Sequence, residues 1–223
     1  MSADERPSGA SSCPAPRFPW DLHPALTEER LAAAARLLIR GRADALAHAD
    51  PWMGDDAWSI GCRAYAFSKH QLARAAEGGR YPWLGILDET HHFVFLVDGV
   101  PVRFFRGDAD DPGKRTLRQQ ESEAEQLALA LGGDGAEGLM FRLAVETGDR
   151  GEVKRVVFLA LRGEEGRVEC FWPVPLGDAP GLPGEAARRN SGGALQLPLS
   201  AGARPAARPR GGRGVRSAAP STP

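Results

Sequence analysis

Residues 138–175, GLMFRLAVETGDRGEVKRVVFLALRGEEGRVECFWPVP, constrain the fold more than any other stretch of the chain. Three apolar runs rich in β-branched and aromatic residues are separated by GDRG and RGEEG, and connections this short allow only antiparallel neighbours. A three-stranded meander is expected. A second set of strands precedes it in WLGILDETHHFVFLVDGVPVRFFRGD, residues 83–108, where Asp98-Gly99 reads as the two-residue turn of a hairpin because both residue types tolerate positive φ. His92, Val94 and Leu96 alternate with Phe93, Phe95 and Val97, so both faces of this strand are largely apolar and its place is central. Pro101 in the returning strand has no N–H, which suits an edge or a bulge.

Helices flank these strands. Thr27 precedes EERLAAAARLLIRGRADALAHA, in which Leu31, Ala35, Leu38, Ala45 and Leu46 recur at helical spacing, and Leu26 and Leu31 stand as a hydrophobic staple. The spacing predicts a helix over 27–48, bent or divided at Gly41, since glycine costs about 1 kcal/mol relative to alanine inside a helix. SIGCRAYAF reads as a short strand or extended arm. Ser68 to Gln71 then has the form of a capping box, with Phe67 and Leu72 as its staple, opening a helix over 69–77 that Gly78-Gly79 closes. Thr116 to Gln119 has the same form. The helix after it carries Leu117, Ala124, Leu127, Ala128 and Leu131 as its apolar stripe, turns Glu121, Glu123 and Glu125 to water, and ends at Gly132-Gly133. The order α-α-βββ-α-βββ gives an α+β class, with helices packed on one face of a largely antiparallel sheet. Two successive helix-plus-meander units invite the idea of an internal duplication, but beyond the capping boxes and Gly-Gly pairs their residues do not match.

One domain is expected over 18–176. Residues 1–17 are rich in proline and serine without apolar periodicity, and 177–223 mix proline and glycine with seven arginines against Asp178 and Glu185, so both read as disordered arms. The tail carries a formal charge of +5, which leaves -6 on the rest of a chain whose net charge is -1. No apolar core follows a basic start at the N-terminus, and no run of about 18 apolar residues occurs, so neither export nor a membrane helix is indicated. Cys13, Cys62 and Cys170 are odd in number and in no CxxC pair, which fits a reducing cytoplasm. Lys69, Lys114 and Lys154 are outnumbered many times by arginine. Alanine, glycine and proline are abundant too, as a GC-rich bacterial genome produces without selection for phosphate recognition.

Several residue groups bear on function. Asp88, Glu89 and His91, with His70 on the preceding helix, have the side chains for acid–base work or metal ligation. Neighbouring strand residues point to opposite faces, however, so the spacing favours a polar turn. An acid at a strand end after a helix bearing Glu77 invites comparison with restriction nucleases, but no acid-x-Lys follows Asp98. GxSxG is absent, Cys62 and Cys170 have no histidine nearby in sequence, and GGDGAEG lacks the lysine and helix of a phosphate loop. The remaining group, Arg103, Phe105, Arg106, Arg115 and Arg118, mixes arginine with aromatics as protein interfaces do, and Trp58, Trp83 and Trp172 either anchor it or fill the core. The expectation is a non-catalytic cytoplasmic protein that binds another protein or itself through a sheet edge or this aromatic-arginine patch, without a cofactor. The alternatives are a nucleic-acid-associated accessory protein of a toxin–antitoxin or phage-defence operon, using Arg204, Arg208, Arg210, Arg213 and Arg216 for weak, salt-dependent contact, and, third, a metal-dependent hydrolase.

Overall fold

The computed structural model describes residues 17–176; the terminal arms, with Arg204, Arg208, Arg210, Arg213 and Arg216, lie outside the described residues. Within them the chain runs α1 (Pro19–Leu22), α2 (Glu28–Ala47), a 3₁₀ turn (Pro51–Met53), α3 (Ala57–Glu77), β1 (Leu84–Asp88), β2 (Val94–Val97), β3 (Val100–Arg106), α4 (Glu121–Leu131), a second 3₁₀ turn (Asp134–Ala136), β4 (Leu139–Thr147), β5 (Val153–Arg162) and β6 (Arg167–Pro173). The architecture is α+β. The six strands form one sheet in sequence order, antiparallel throughout except for the parallel pair β3 and β4, which α4 connects.

Asp98 at φ 52° and Gly99 at φ 84° make the turn between β2 and β3, both in the left-handed region that the tight hairpin needs. β2 lies between β1 and β3, as its two apolar faces require. Pro101 is not in an edge strand, because β3 has β2 on one side and β4 on the other. It is tolerated through stagger: β3 pairs with β2 over Val100–Val102 and with β4 only from Arg103 onward, so Pro101 faces β4's side before the pairing with β4 begins.

α2 and α3 cover one face. Leu31, Ala35 and Leu38 of α2 and Leu72 and Ala75 of α3 pack with Phe95, Val97, Phe141, Leu143, Val156 and Phe158 in one core. The alternate strand residues Met140, Ala144, Val157, Leu159 and Leu161 form a second cluster with Ala109 and Leu117 of the β3–α4 loop.

Five local expectations are corrected. SIGCRAYAF is helical: α3 is continuous over 21 residues and starts at Asp56, whose carboxylate accepts from the N–H groups of Trp58 and Ser59. Ser68 is not a cap but a buried mid-helix residue donating its hydroxyl to the Leu38 carbonyl of α2 at 3.3 Å. Gly41 does not divide α2; a Cβ there would lie 2.6 Å from both N and Cα of Ser68, so the glycine lets the two helices touch backbone to backbone. The last helix opens at Gln120, not in the Thr116–Gln119 box, and its Glu123 is fully buried because it meets Arg142 of β4.

Candidate functional site

The stagger of β3 leaves a gap. Arg103–Arg106 pair with β4, but the pairing with β2 has ended at Val102. Gly107 donates its N–H to the Val145 carbonyl at 3.3 Å, which sets the phase of the parallel ladder: Phe105 turns its backbone groups towards β4, and Phe104 and Arg106 turn theirs to the unpaired side. Half of an interior strand is thus an open edge.

Side chains wall this edge. A recess of about 240 Å³ is lined by Tyr65 and His91, by Phe104, Phe105 and Arg106 of the open strand, and by Arg103, Arg115 and Arg142. Tyr65, on α3, packs its ring 5.1 Å from that of Phe104 and donates its hydroxyl to the His91 carbonyl at 2.9 Å; burial pushes the Tyr65 phenol above its ordinary value. Lys69, one turn on, donates to the carbonyls of Glu89 and Thr90 at 2.7 Å each, so α3 ties down the β1–β2 connection on this flank. On the other flank Arg142 donates to the carbonyls of Thr116 and Phe141, both at 2.9 Å, and to the Glu123 carboxylate. Arg103 donates to the Arg118 carbonyl at 2.8 Å and lies 3.7 Å from Glu123. Two guanidiniums share one buried carboxylate, which leaves the recess with excess positive charge.

A larger cleft, about 670 Å³, opens at the carboxyl ends of the parallel strands β3 and β4, where α/β sheets hold ligands. Its walls include Arg42 of α2, Asp55, Asp56 and Ala57 at the start of α3, Arg106, and the β4–β5 turn with Asp149, Arg150 and Lys154. Arg42 is buried at 6% exposure and donates Nε to the Gly151 carbonyl at 2.8 Å, but among the described residues its Nη1 has no partner. Desolvation, then the neighbouring Arg106, lower the Arg42 pKa from its ordinary value. Trp52 at 98% and Met53 at 84% exposure stand bare on the α2–α3 connection, and Trp58 at 75% in the first turn of α3, which leads into this wall.

The sequence-derived residues fall into two places. Arg103, Phe105, Arg106 and Arg115 line the recess together, and Arg118 contributes the carbonyl that Arg103 holds while its side chain is exposed. Asp88 ends β1, and Glu89 and His91 lie in the β1–β2 connection. The Asp88 carboxylate accepts from the Thr90 N–H at 2.7 Å, and Thr90 is the main cause holding its pKa below the ordinary value. The rings of His91 and His92 lie 3.9 Å apart, tilted by 46°, and His70 is exposed on α3. Among the described residues the acids that converge closely enough for a cation are Asp108, Asp110 and Glu146, a different set from His70, Asp88 and His91. Arg155 already fills that position, at 2.6 and 2.8 Å from Glu146 and 3.2 Å from Asp110. Trp83 and Trp172 pack on the core margin, unlike Trp58. Arg42 was the residue that pattern reading passed over. Its signal was an arginine on the stripe Leu31, Ala35, Leu38 and Ala45, where an apolar residue belongs.

Compared with protein-family models, with curated proteins and with solved structures, the chain matches none.

Proposed function

We propose that this chain is a non-catalytic recognition protein that takes an extended, acidic segment of a partner protein along the open half of β3. The observation that carries the reading is the coincidence of an unpaired edge, the backbone groups of Phe104 and Arg106, with a wall of Arg103, Arg106 and Arg115. Strand addition uses such an edge: backbone hydrogen bonds hold the incoming strand, and flanking side chains choose its sequence. Tyr65 and Phe105 supply apolar contact on either side of the edge, and the arginines select carboxylates through planar bidentate pairing. A lone edge flanked by positive charge resists pairing with a second copy of itself, because the same arginines would face each other.

Panning a random-peptide display library on the full chain tests this. The selected peptides are expected to be rich in Asp and Glu, to lose binding to the Arg106→Glu/Arg115→Glu variant, and to protect the Phe104 and Arg106 amides from exchange. Peptides that bind the variant equally well, or that protect a different strand, would overturn the reading.

A further inference from the structure

The cleft at the carboxyl ends of β3 and β4 has a charge pattern of which the peptide reading uses only Arg106. Five carboxylates line it, and three are committed: Asp55 pairs with Arg63 at 2.9 Å, Asp56 caps α3, and Glu146 is held by Arg155. Asp149 and Asp108, whose carboxylate accepts the Asp110 N–H at 2.9 Å, remain, both exposed. Arg42, Arg106, Arg150 and Lys154 line the same space, and among the described residues none of the four enters an ion pair. Against Asp56, Asp108 and Asp149, which have no cation partner among the described residues, these four leave a net positive charge, and the deepest of them is Arg42, buried with an unpartnered Nη1.

A buried guanidinium without a counter-ion is costly, and a second guanidinium beside it adds repulsion. Arg42 and Arg106 are brought together across a smaller space of about 40 Å³ that adjoins the cleft; both line the two spaces, as does Thr147. Arg42 is fixed there by Gly151, where a Cβ would come 2.9 Å from Nη2, and Arg106 lies over Gly61 of α3, where a Cβ would come 3.2 Å from Nη1. Both positions let an arginine approach backbone. A carboxylate would neutralise one of these charges, whereas a phosphate dianion neutralises both and offers enough acceptors for several N–H donors. The cleft is far larger than a phosphate group, so the phosphate belongs to an organic body, and Asp108 and Asp149 at the rim are acceptors suited to hydroxyl donors.

We infer that this cleft binds the terminal phosphate of a small hydroxylated phosphate monoester, a sugar phosphate or mononucleotide, with Arg42 and Arg106 on the phosphate and Arg150 and Lys154 at the mouth. The exposed carboxylates at the rim disfavour a continuous phosphate backbone, which sets a small ligand above a nucleic acid.

Titration calorimetry on the full chain with inorganic phosphate, ribose 5-phosphate, AMP, adenosine and a single-stranded oligonucleotide tests the site. Both monoesters are expected to bind one per chain and more tightly than inorganic phosphate, with adenosine silent; the tighter monoester identifies the organic body. Arg42→Met should weaken them about tenfold or more, as loss of a charge-assisted bond does. Lys154→Ala, on the exposed rim, should weaken them about two- to fivefold with little change in thermal midpoint. Arg115→Glu, outside the cleft, should leave them bound while removing the peptide, so failure here and failure of the peptide reading are separable. No heat with any phosphate probe, equal affinity for adenosine and AMP, or affinity unmoved by both Arg42→Met and Lys154→Ala would overturn the site. An oligonucleotide bound more tightly than either monoester, and weakened by the same variants, would overturn the small-ligand assignment in favour of nucleic acid.

Discussion

Replacing Glu123 by Ala tests how the recess is held together. Glu123 and Arg142 are both essentially removed from solvent, at 0% and 1% exposure, and Glu123 is the carboxylate against which Arg142 sets its charge. In the variant Arg142 keeps the Thr116 and Phe141 carbonyls but loses its counter-ion, Arg103 loses the same carboxylate at 3.7 Å, and the Gln120 N–H loses its acceptor at 3.5 Å. Breaking a buried pair from one side costs about 3–5 kcal/mol. At about 2–4 °C per kcal/mol for a domain of this size, the thermal midpoint should fall by about 6–20 °C. Replacing both partners removes the orphaned charge, so Glu123→Ala/Arg142→Met should be more stable than the sum of the single changes predicts, by about 2 kcal/mol. Urea denaturation of the four proteins in a double-mutant cycle measures this. A loss below about 1 kcal/mol in Glu123→Ala, or additivity of the two changes, would refute the claim that this pair anchors the 116–118 loop to β4.

Gly41→Ala should destabilise by about 1–3 kcal/mol although alanine is the better helix former by about 1 kcal/mol, because its Cβ meets the Ser68 backbone; a raised urea midpoint would contradict this. Burial pushes the Cys170 thiol up to about 11, so in a Cys13→Ser background a thiol reagent at mildly alkaline pH should modify exposed Cys62 quickly and Cys170 only on unfolding. Hydrogen bonding to Arg155 holds the Glu146 pKa below its ordinary 4.5, so this contribution to stability is complete above pH 4.5 and disappears as pH falls through the lower folded-state value. Melting curves over that range should show an acid-side loss that Glu146→Gln reduces.

The two meanders were legible because their information is local: apolar runs, tight turns and the positive-φ pair Asp98-Gly99 lie within a few residues of one another. Features that depend on a distant partner were not. Glu123 looks like a solvated helix residue until Arg142, on a strand beyond the next turn, is placed against it. Ser68 resembles a cap because its hydroxyl needs an acceptor, and that acceptor is the Leu38 carbonyl of another helix. Asp56 before Ala57 was the cap that marked the true start of α3, but a stripe of Ile60, Ala64, Ser68 and Leu72 is weak in large apolar residues and hid it. The aromatic-arginine cluster was visible as composition. Its open edge arises from the stagger of β3 between two neighbours, which no single segment encodes.

Amide exchange along β3, read residue by residue by NMR, tests the central claim most directly. In the free protein the Phe104 and Arg106 amides should exchange fast and the Phe105 amide, turned towards β4, slowly, and addition of a selected acidic peptide should slow Phe104 and Arg106 alone. Equal protection of all three amides in the free protein, or no change at Phe104 and Arg106 with saturating peptide, would contradict recognition by strand addition at this edge.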